Sequence, residues 1–284
     1  MLRSGGDRRL SWAWLGLAPF LAFIVAFEIA PLMMLVKSAL TTKDVISLDN
    51  FARALNPAIV AAFVNSIGLS LATAAAGTIA GAVVAHLIVN SRSPLVKNSL
   101  TALADVTANF GGAPLAFAFV ITLGSTGIVT LLLKQIGIDL YPGFRIYSLG
   151  GLVVAYLYFQ IPLAILLLIP SFQGLRQEWA EAAAILGAKP ILYWRMVALP
   201  ILSPSLVSSF FLLFANAFGA YATAWTLTGS SINLVTIQIA ALIRGEVQLE
   251  PALADAIAVL SLLIMALCVA AHQLLVRNAR KIAS

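Results

Sequence analysis

Long apolar runs separated by short polar stretches dominate the pattern of this 284-residue chain. A helix rises 1.5 Å per residue, so about 20 apolar residues cross the roughly 30 Å hydrocarbon core of a bilayer. The chain lacks the ten-residue alternation of polar and apolar positions that is typical of membrane β-barrels. We therefore predict an all-α membrane protein with six transmembrane helices, at 11–36, 63–89, 99–123, 148–170, 201–227 and 252–276.

Composition supports the same class. The chain is 61% hydrophobic and 10% charged, whereas soluble domains carry roughly 25% charged residues. This composition argues against a soluble α/β enzyme and favours an integral membrane protein. The net charge of +6 comes from basic residues scattered singly, so we expect no nucleic-acid partner. The single cysteine, Cys268, lies in an apolar run and allows no disulfide within the chain.

The distribution of Lys and Arg predicts the orientation, because cytoplasmic loops are enriched in both. With the N-terminus inside, eleven basic residues lie in cytoplasmic segments: Arg3, Arg8, Arg9, Arg92, Lys97, Arg176, Lys189, Arg195, Arg277, Arg280 and Lys281. Six lie outside: Lys37, Lys43, Arg53, Lys134, Arg145 and Arg244. We therefore predict a cytoplasmic segment 1–10, a first span at 11–36 and a cytoplasmic C-terminus. A cleaved secretory signal is the alternative reading of the first run, but that run is long, contains Glu28 and precedes no clear cleavage site.

The predicted cytoplasmic loop 171–200 has an unusual composition. Glu178, Glu181 and a run of alanines favour a short helix, Gly187 can end it in a left-handed conformation, and Pro190 suits the first turn of a second helix. An interfacial helix lying on lipid headgroups would have a similar composition. On composition alone, both interpretations stay open.

The spacing within this loop carries a specific resemblance. The loop contains Glu181-Ala182-Ala183, then Gly187 four residues after Ala183, and then Leu199-Pro200 beginning twelve residues after Gly187. This pattern resembles the EAA loop of binding-protein-dependent ABC importer permeases. Val197 stands where that pattern has Ile. The resemblance covers roughly 60–280, and the segments flanking the loop look most like the polyamine-type cluster, which also includes importers of thiamine, ferric iron, sulfate and phosphonates.

The resemblance implies a type I ABC importer permease fold in a bacterial inner membrane. It implies two ATP-binding cassette subunits, a second permease (a paralogue or an identical copy) and an extracytoplasmic substrate-binding protein as partners. The residues implied to couple to the ATPase are Glu178, Glu181, Ala182, Ala183, Gly187, Leu199 and Pro200. The chain has no Gly-rich phosphate loop of the Walker type, so ATP and Mg²⁺ are expected on the partner ATPase. We expect this chain to be a translocation subunit with no enzymatic activity.

Polar residues inside the predicted spans are candidates for the substrate pathway, because such groups are costly in hydrocarbon. Asp105 and Asn109 share one face of the third span, and Gly111, Gly112 and Pro114 predict a break after them. Asn216 and Thr223 share a stripe with Gly219 on the fifth span. A structural hydrogen bond (for Asp105) or helix packing (for the stripe) is the competing interpretation in each case.

Two other transport classes remain alternatives. An ion- or proton-coupled secondary transporter would show inverted repeats with paired broken helices, and a channel would show a filter or a charged ring; the sequence displays neither clearly. His86 and His272 have no acid or cysteine at ligand spacing, so we expect no metal site. The sequence favours import of a small polar solute, with a polyamine-like cation as the most specific expectation.

The topology can be tested by labelling single cysteines in intact cells. Labels at Ser4, Arg176 and Ser284 should react only from the cytoplasmic side, and labels at Asp49 and Glu246 only from outside. Reaction at Ser284 from outside would mean that the number of spans is wrong.

Overall fold

The computed structural model describes residues 9–42, 45–246 and 249–283, so most of the predicted segment 1–10 lies outside the described residues. The described residues form two compact units, one made of 57–238 and 263–283, the other of 9–56 and 239–262. The helices are α1 (Arg9–Ile24), α2 (Ala30–Ala39), α3 (Asp49–Ala54), α4 (Pro57–Asn90), α5 (Pro94–Asn109), α6 (Gly112–Leu123), α7 (Ile128–Gln135), α8 (Leu149–Gln173), α9 (Gln177–Ile185), α10 (Pro190–Tyr193), α11 (Leu199–Gly219), α12 (Tyr221–Thr228), α13 (Val235–Arg244) and α14 (Pro251–Ala283). Strands β1 (Thr41–Thr42) and β2 (Val45–Ile46) pair antiparallel.

Six stretches of the described chain are long and apolar enough to span a membrane, which confirms the predicted number. They are Gly16–Ala39, Pro57–Asn90, Gly112–Gln135, Leu149–Gln173, Pro190–Gly219 and Pro251–Leu274. The fold is all-α apart from the two-residue strands. The bounds of the third and fifth spans differ from the prediction for identifiable reasons.

The third predicted span, 99–123, is a broken helix. α5 ends at Asn109 and α6 begins at Gly112, whose φ is +70°. Pro114 explains the break, because its ring would clash with the carbonyl of Phe110 in a continuous helix. By composition the apolar stretch starts only at Gly112. Packing nevertheless shows that α5 and α6 together follow α8, since Phe110 and Phe119 both contact the ring of Tyr158.

The fifth predicted span, 201–227, is wrong at both ends. It begins earlier, because α10 continues through a π-helical turn (Trp194–Ala198) directly into α11. Pro200 has no N–H to donate to the carbonyl of Met196, and the wider turn before it accommodates this missing hydrogen bond. The span also breaks at Ala220, whose ψ of 91° separates α11 from α12.

The core of the larger unit is the contact between α4 and α8. α4 presents small residues at helical spacing, including Gly77 and Gly81, and a Cβ built at Gly81 would lie 2.4 Å from the Cβ of Ala164 on α8. Small residues let the two backbones approach closely, which is the main source of packing energy between helices in lipid. Large side chains fill the space on either side of this contact, with Leu152 and Leu168 of α8 fully buried.

The smaller unit is held by polar contacts at its helix ends. Asn50 is buried and its amide donates to the carbonyls of Ala39 and Thr41, which satisfies backbone groups beyond the end of α2. Arg53 of α3 forms an ion pair with Glu250, the residue before α14. A π-helical turn (Val25–Ile29) interrupts the first span just before Pro31.

The glycine contact gives a matched test of packing on one helix. We expect Gly81→Ala to destabilise the protein by about 1–3 kcal/mol, because the added methyl group overlaps Ala164. Gly68→Ala on the same helix adds the same methyl group where no atom lies within 4 Å. Melting temperatures in detergent should fall for Gly81→Ala and stay level or rise for Gly68→Ala; equal temperatures would contradict the assigned contact.

Candidate functional site

The loop that connects α8 to α11 is exposed over α9 and the elbow, whereas Trp194 is half-buried and Ala198 is buried where the loop joins α11. No residue of α9 is buried, and Glu178, Glu181 and Ala182 all present their side chains to the surface. Ala183 is half-buried, and Leu199 and Pro200 are exposed at the start of α11. The seven residues predicted to couple to an ATPase therefore lie on an accessible helical loop.

Gly187 forms the elbow that the sequence predicted. Its φ is +76°, a conformation that side-chain-bearing residues rarely adopt. The N–H of Ala188 donates to the carbonyl of Ala183 at 2.9 Å, and the N–H of Gly187 donates to Ala184 at 2.9 Å. This pair of bonds is the Schellman arrangement, which satisfies carbonyls at the end of α9. The elbow is therefore hydrogen-bonded and stiff.

Large apolar side chains are exposed at the elbow and in the segment that follows it. Ile185 and Leu186 are each 86% exposed, Ile191 is 73% exposed, and Met196 is also exposed. We call these four residues the elbow patch. Ile185 and Leu186 lie at the elbow itself, and Ile191 and Met196 follow it. Exposed large apolar groups close together in a short segment are typical of surfaces that bind another protein.

One side of the loop is fixed to the helices of the membrane unit. The ring of Trp194, in the π-helical turn, packs edge-on against His86 of α4, with ring centroids 4.9 Å apart. His86 in turn contacts Phe172 near the end of α8, at 5.5 Å. Trp179 lies under the guanidinium of Arg176 at 5.9 Å. The loop is therefore linked to α4 through Trp194, to α8 through His86, and to α11 by the continuous helix.

Three of the four predicted pathway residues line one cavity. This cavity, of about 430 Å³, lies where the break between α5 and α6 meets the break between α11 and α12, and we call it the break cavity. Its lining includes Asn109, Gly111, Asn216, Gly219, Ala222 and Thr223. Asn109 and Asn216 are exposed in this open cavity, whereas Thr223 is only 3% exposed. Thr223 joins the two breaks, because its hydroxyl accepts from the N–H of Gly112 at 3.0 Å and donates to the carbonyl of the same residue at 3.3 Å.

Asp105 lies apart from the other three. It borders a separate cavity of about 580 Å³ beside the Gln173 end of α8, together with Lys97 and Thr101. Within the described part of the chain, the Asp105 carboxylate forms no hydrogen bond or ion pair; only its backbone carbonyl is engaged, by the amide of Asn109 at 2.8 Å. Asp105 and Asn109 are four residues apart, which predicts that they share one face of the helix. Their side chains nevertheless border two different cavities.

Two residues of α8 matter at the break cavity and were missed in the sequence. The amide of Gln160, fully buried, donates to the carbonyl of Leu213 at 2.7 Å and accepts from Asn216 at 3.3 Å. The hydroxyl of Tyr156 donates to the carbonyl of Ala220 at 2.7 Å, the residue at which α11 breaks. The signal in the sequence that could have identified Gln160 was its position as a lone glutamine inside an apolar run.

Comparison with known proteins identifies the family of the chain. The family model described as "Binding-protein-dependent transport system inner membrane component" matches residues 77–281. The molybdenum transport system permease protein ModB of Mycobacterium tuberculosis is 31% identical over 169 residues, which are 57% of this chain and 61% of that protein. The trehalose transport system permease protein SugB of the same species is 25% identical over 261 residues, 87% of this chain and 85% of SugB.

A solved structure shows the same fold. A chain from a bacterial ABC transporter involved in the import of the acidic polysaccharide alginate superimposes with a TM-score of 0.74, covering 98% of both chains at 16% sequence identity. At this identity the similarity concerns the fold alone.

The isolation of Asp105 predicts a small effect of its substitution on stability. Asp105→Asn should change the free energy of unfolding by less than ~0.5 kcal/mol, because an exposed carboxylate without a partner loses nothing. Thr223→Val, similarly close in shape, should cost about 1–3 kcal/mol because it leaves the backbone of Gly112 unpaired. The melting temperatures of the two purified variants test these two expectations. A large fall for Asp105→Asn would assign that acid a structural role.

Proposed function

Because the chain belongs to the family of binding-protein-dependent transport system inner membrane components, we propose that it is the membrane-spanning permease subunit of an ATP-driven ABC importer. The observation that carries the proposal is the exposed loop from Glu178 to Pro200, which combines the register of the EAA motif with a stiff elbow and an apolar elbow patch. In this proposal the loop docks on a separate ATPase. The chain itself translocates solute and catalyses no reaction.

The connection from the loop into the membrane suits force transmission. α10, the π-helical turn and α11 form one helical stretch of 30 residues, Pro190–Gly219, about 45 Å long at ~1.5 Å per residue. Its far end borders the break cavity through Asn216 and Gly219. A movement of the docked loop, driven by ATP binding to the partner, would therefore reach the cavity along one helix. In this proposal, the movement would open the cavity alternately to the two membrane faces.

The proposed assembly contains two ATP-binding cassette subunits, a second permease and an extracytoplasmic substrate-binding protein. ATP and Mg²⁺ belong to the cassette subunits. The protein is a multi-pass protein of the bacterial inner membrane, and the distribution of basic residues supports both termini in the cytoplasm. That side of the membrane is also where an ATPase could reach the loop.

The substrate is proposed only as a small polar solute. The names of the relatives include molybdenum, thiamine, sulfate and trehalose, and none of these is a polyamine. The expectation of a polyamine-like cation came from the resemblance of the segments that flank the loop. Asp105, the one acid in the predicted pathway that would suit a cation, does not border the break cavity. We therefore propose no particular polyamine as the solute.

Coupling can be tested with two variants of the loop. Glu181→Lys reverses a charge on the proposed docking surface, where a mismatched pair can cost several kcal/mol. Gly187→Val forces a β-branched side chain into a φ of +76°. We expect both variants to insert normally, to lose at least tenfold in uptake and to lose the ATPase on purification.

Matched controls lie in the loop after α7. Gly137→Val places the same strain at a φ of +85°, again with no atom within 4 Å of the added Cβ, and Asp139→Lys reverses an exposed acid. Both controls should retain the ATPase. Normal uptake with either loop variant would contradict ATPase coupling through the elbow. A wild-type chain that transports without any co-purifying ATPase would instead indicate a secondary transporter.

A further inference from the structure

The backbone carbonyl of Leu213 fixes the orientation of two side-chain amides at the break cavity, those of Gln160 and Asn216. The carbonyl of Leu213 can only accept hydrogen bonds, so the Gln160 amide must turn its NH₂ group toward it, as the 2.7 Å contact shows. This orientation leaves the Gln160 oxygen facing Asn216, 3.3 Å from the nitrogen of that amide. An oxygen accepts and cannot donate, so Asn216 must direct its own NH₂ group to Gln160. The Asn216 oxygen is then the group left for the cavity.

The side-chain amide of Asn109, at the end of α5, is oriented in the same way by a backbone carbonyl. Its NH₂ group donates to the carbonyl of Asp105 at 2.8 Å, another group that can only accept. The Asn109 oxygen is therefore also left for the cavity. Two amide oxygens from two different helices thus border the same space, and each is held by a chain of hydrogen bonds that begins at a backbone carbonyl.

Each Asn oxygen accepts no hydrogen bond from the described residues, whereas each Asn NH₂ group already has one of its two protons engaged. Beyond the second proton of these two amides, the remaining polar side chains of the cavity add no donor. Thr223 has one hydroxyl proton and gives it to the carbonyl of Gly112. The hydroxyl of Tyr221 is buried, so its ring rather than its oxygen borders the space. The described residues of the lining include no acidic or basic side chain.

Helix ends do not reverse this polarity. The N-termini of α6 and α12 reach the cavity, and helix N-termini favour anions. The C-termini of α5 and α11 reach the same cavity and favour cations, so the opposed dipoles largely offset one another. In addition, the N–H of Gly112 is occupied by Thr223, and Pro114 has none to offer.

We propose that the break cavity selects solutes that donate hydrogen bonds, through the oxygens of Asn109 and Asn216, and that Gln160 is the positioning residue that fixes the second of these oxygens. The solute class is one bearing hydroxyl or protonated amino groups, and oxyanions without such protons are disfavoured. This assignment rests on the proposed function, since it supplies the substrate class for that permease.

The test uses a thiol placed in the cavity of the full-length protein. Ala222→Cys provides an exposed position in the lining, in a background with Cys268→Ala, the only native cysteine. Gly219→Cys is a second position, with no atom within 4 Å of the added Cβ. Each thiol is reacted with aminoethyl, trimethylammonioethyl and sulfonatoethyl methanethiosulfonates, and the rates are divided by those of free 2-mercaptoethanol.

We expect the normalised rate for the aminoethyl reagent to exceed that of the sulfonate by about five- to tenfold, as one to two hydrogen bonds would give. It should also exceed that of the trimethylammonium reagent, which carries the charge without a proton to donate. Adding Gln160→Met should bring the aminoethyl rate toward the free-thiol value, because the Asn216 amide can then turn. Asn216→Leu should do the same and keeps the test valid if Gln160→Met does not fold.

Equal normalised rates for the three reagents at both positions, or a preference for the sulfonate, would overturn the assignment; the latter would point to an oxyanion site at the helix N-termini. An undiminished preference in both Gln160→Met and Asn216→Leu would overturn the role of the amide chain. These rates need no ATPase, so failure of the importer proposal would appear separately, as the absence of a co-purifying ATPase.

Discussion

A helix that breaks inside a membrane must find new partners for the backbone groups it releases, because hydrocarbon offers none. The region around the break cavity meets this requirement with side chains from other helices. Tyr156 donates to the carbonyl of Ala220 at one break, and Thr223 bonds both backbone groups of Gly112 at the other. Gln160 adds a bond to the carbonyl of Leu213, inside α11. These three side chains hold two interrupted helices beside each other. The irregular backbone that they permit is what creates a polar cavity in an apolar protein.

The close approach of α4 and α8 makes this arrangement possible. Gly77 and Gly81 allow α8 to lie against α4, and the Cβ that Gly77 lacks would meet both Leu213 and Gln160. Gln160 is therefore packed between α4 and α11 and is fully buried, so water does not compete for the hydrogen bonds of its amide. A buried amide with both ends bonded has one orientation, and that orientation extends to Asn216. Packing by small residues and the polarity of the cavity thus depend on the same contact.

Features determined by local chemistry could be predicted from the sequence. Six spans follow from run length, the break before Gly112 follows from Pro114, and the elbow follows from Gly187. Features determined by distant partners could not. The break at Ala220 is stabilised by Tyr156, 64 residues earlier, and Gln160 acquires its role from Leu213, 53 residues later. The shared face of Asp105 and Asn109 was a property of an ideal helix; packing against α8 gave the two side chains different surroundings.

The continuous helical stretch from Pro190 to Gly219 keeps two kinds of surface at opposite ends of one element. One end carries the loop, whose form is set by Gly187 and the residues around it, and the other carries the lining of the break cavity. The two ends are about 45 Å apart at ~1.5 Å per residue, so a substitution in the cavity lining does not touch the loop. The polarity of the cavity and the surface of the loop can therefore change independently of each other.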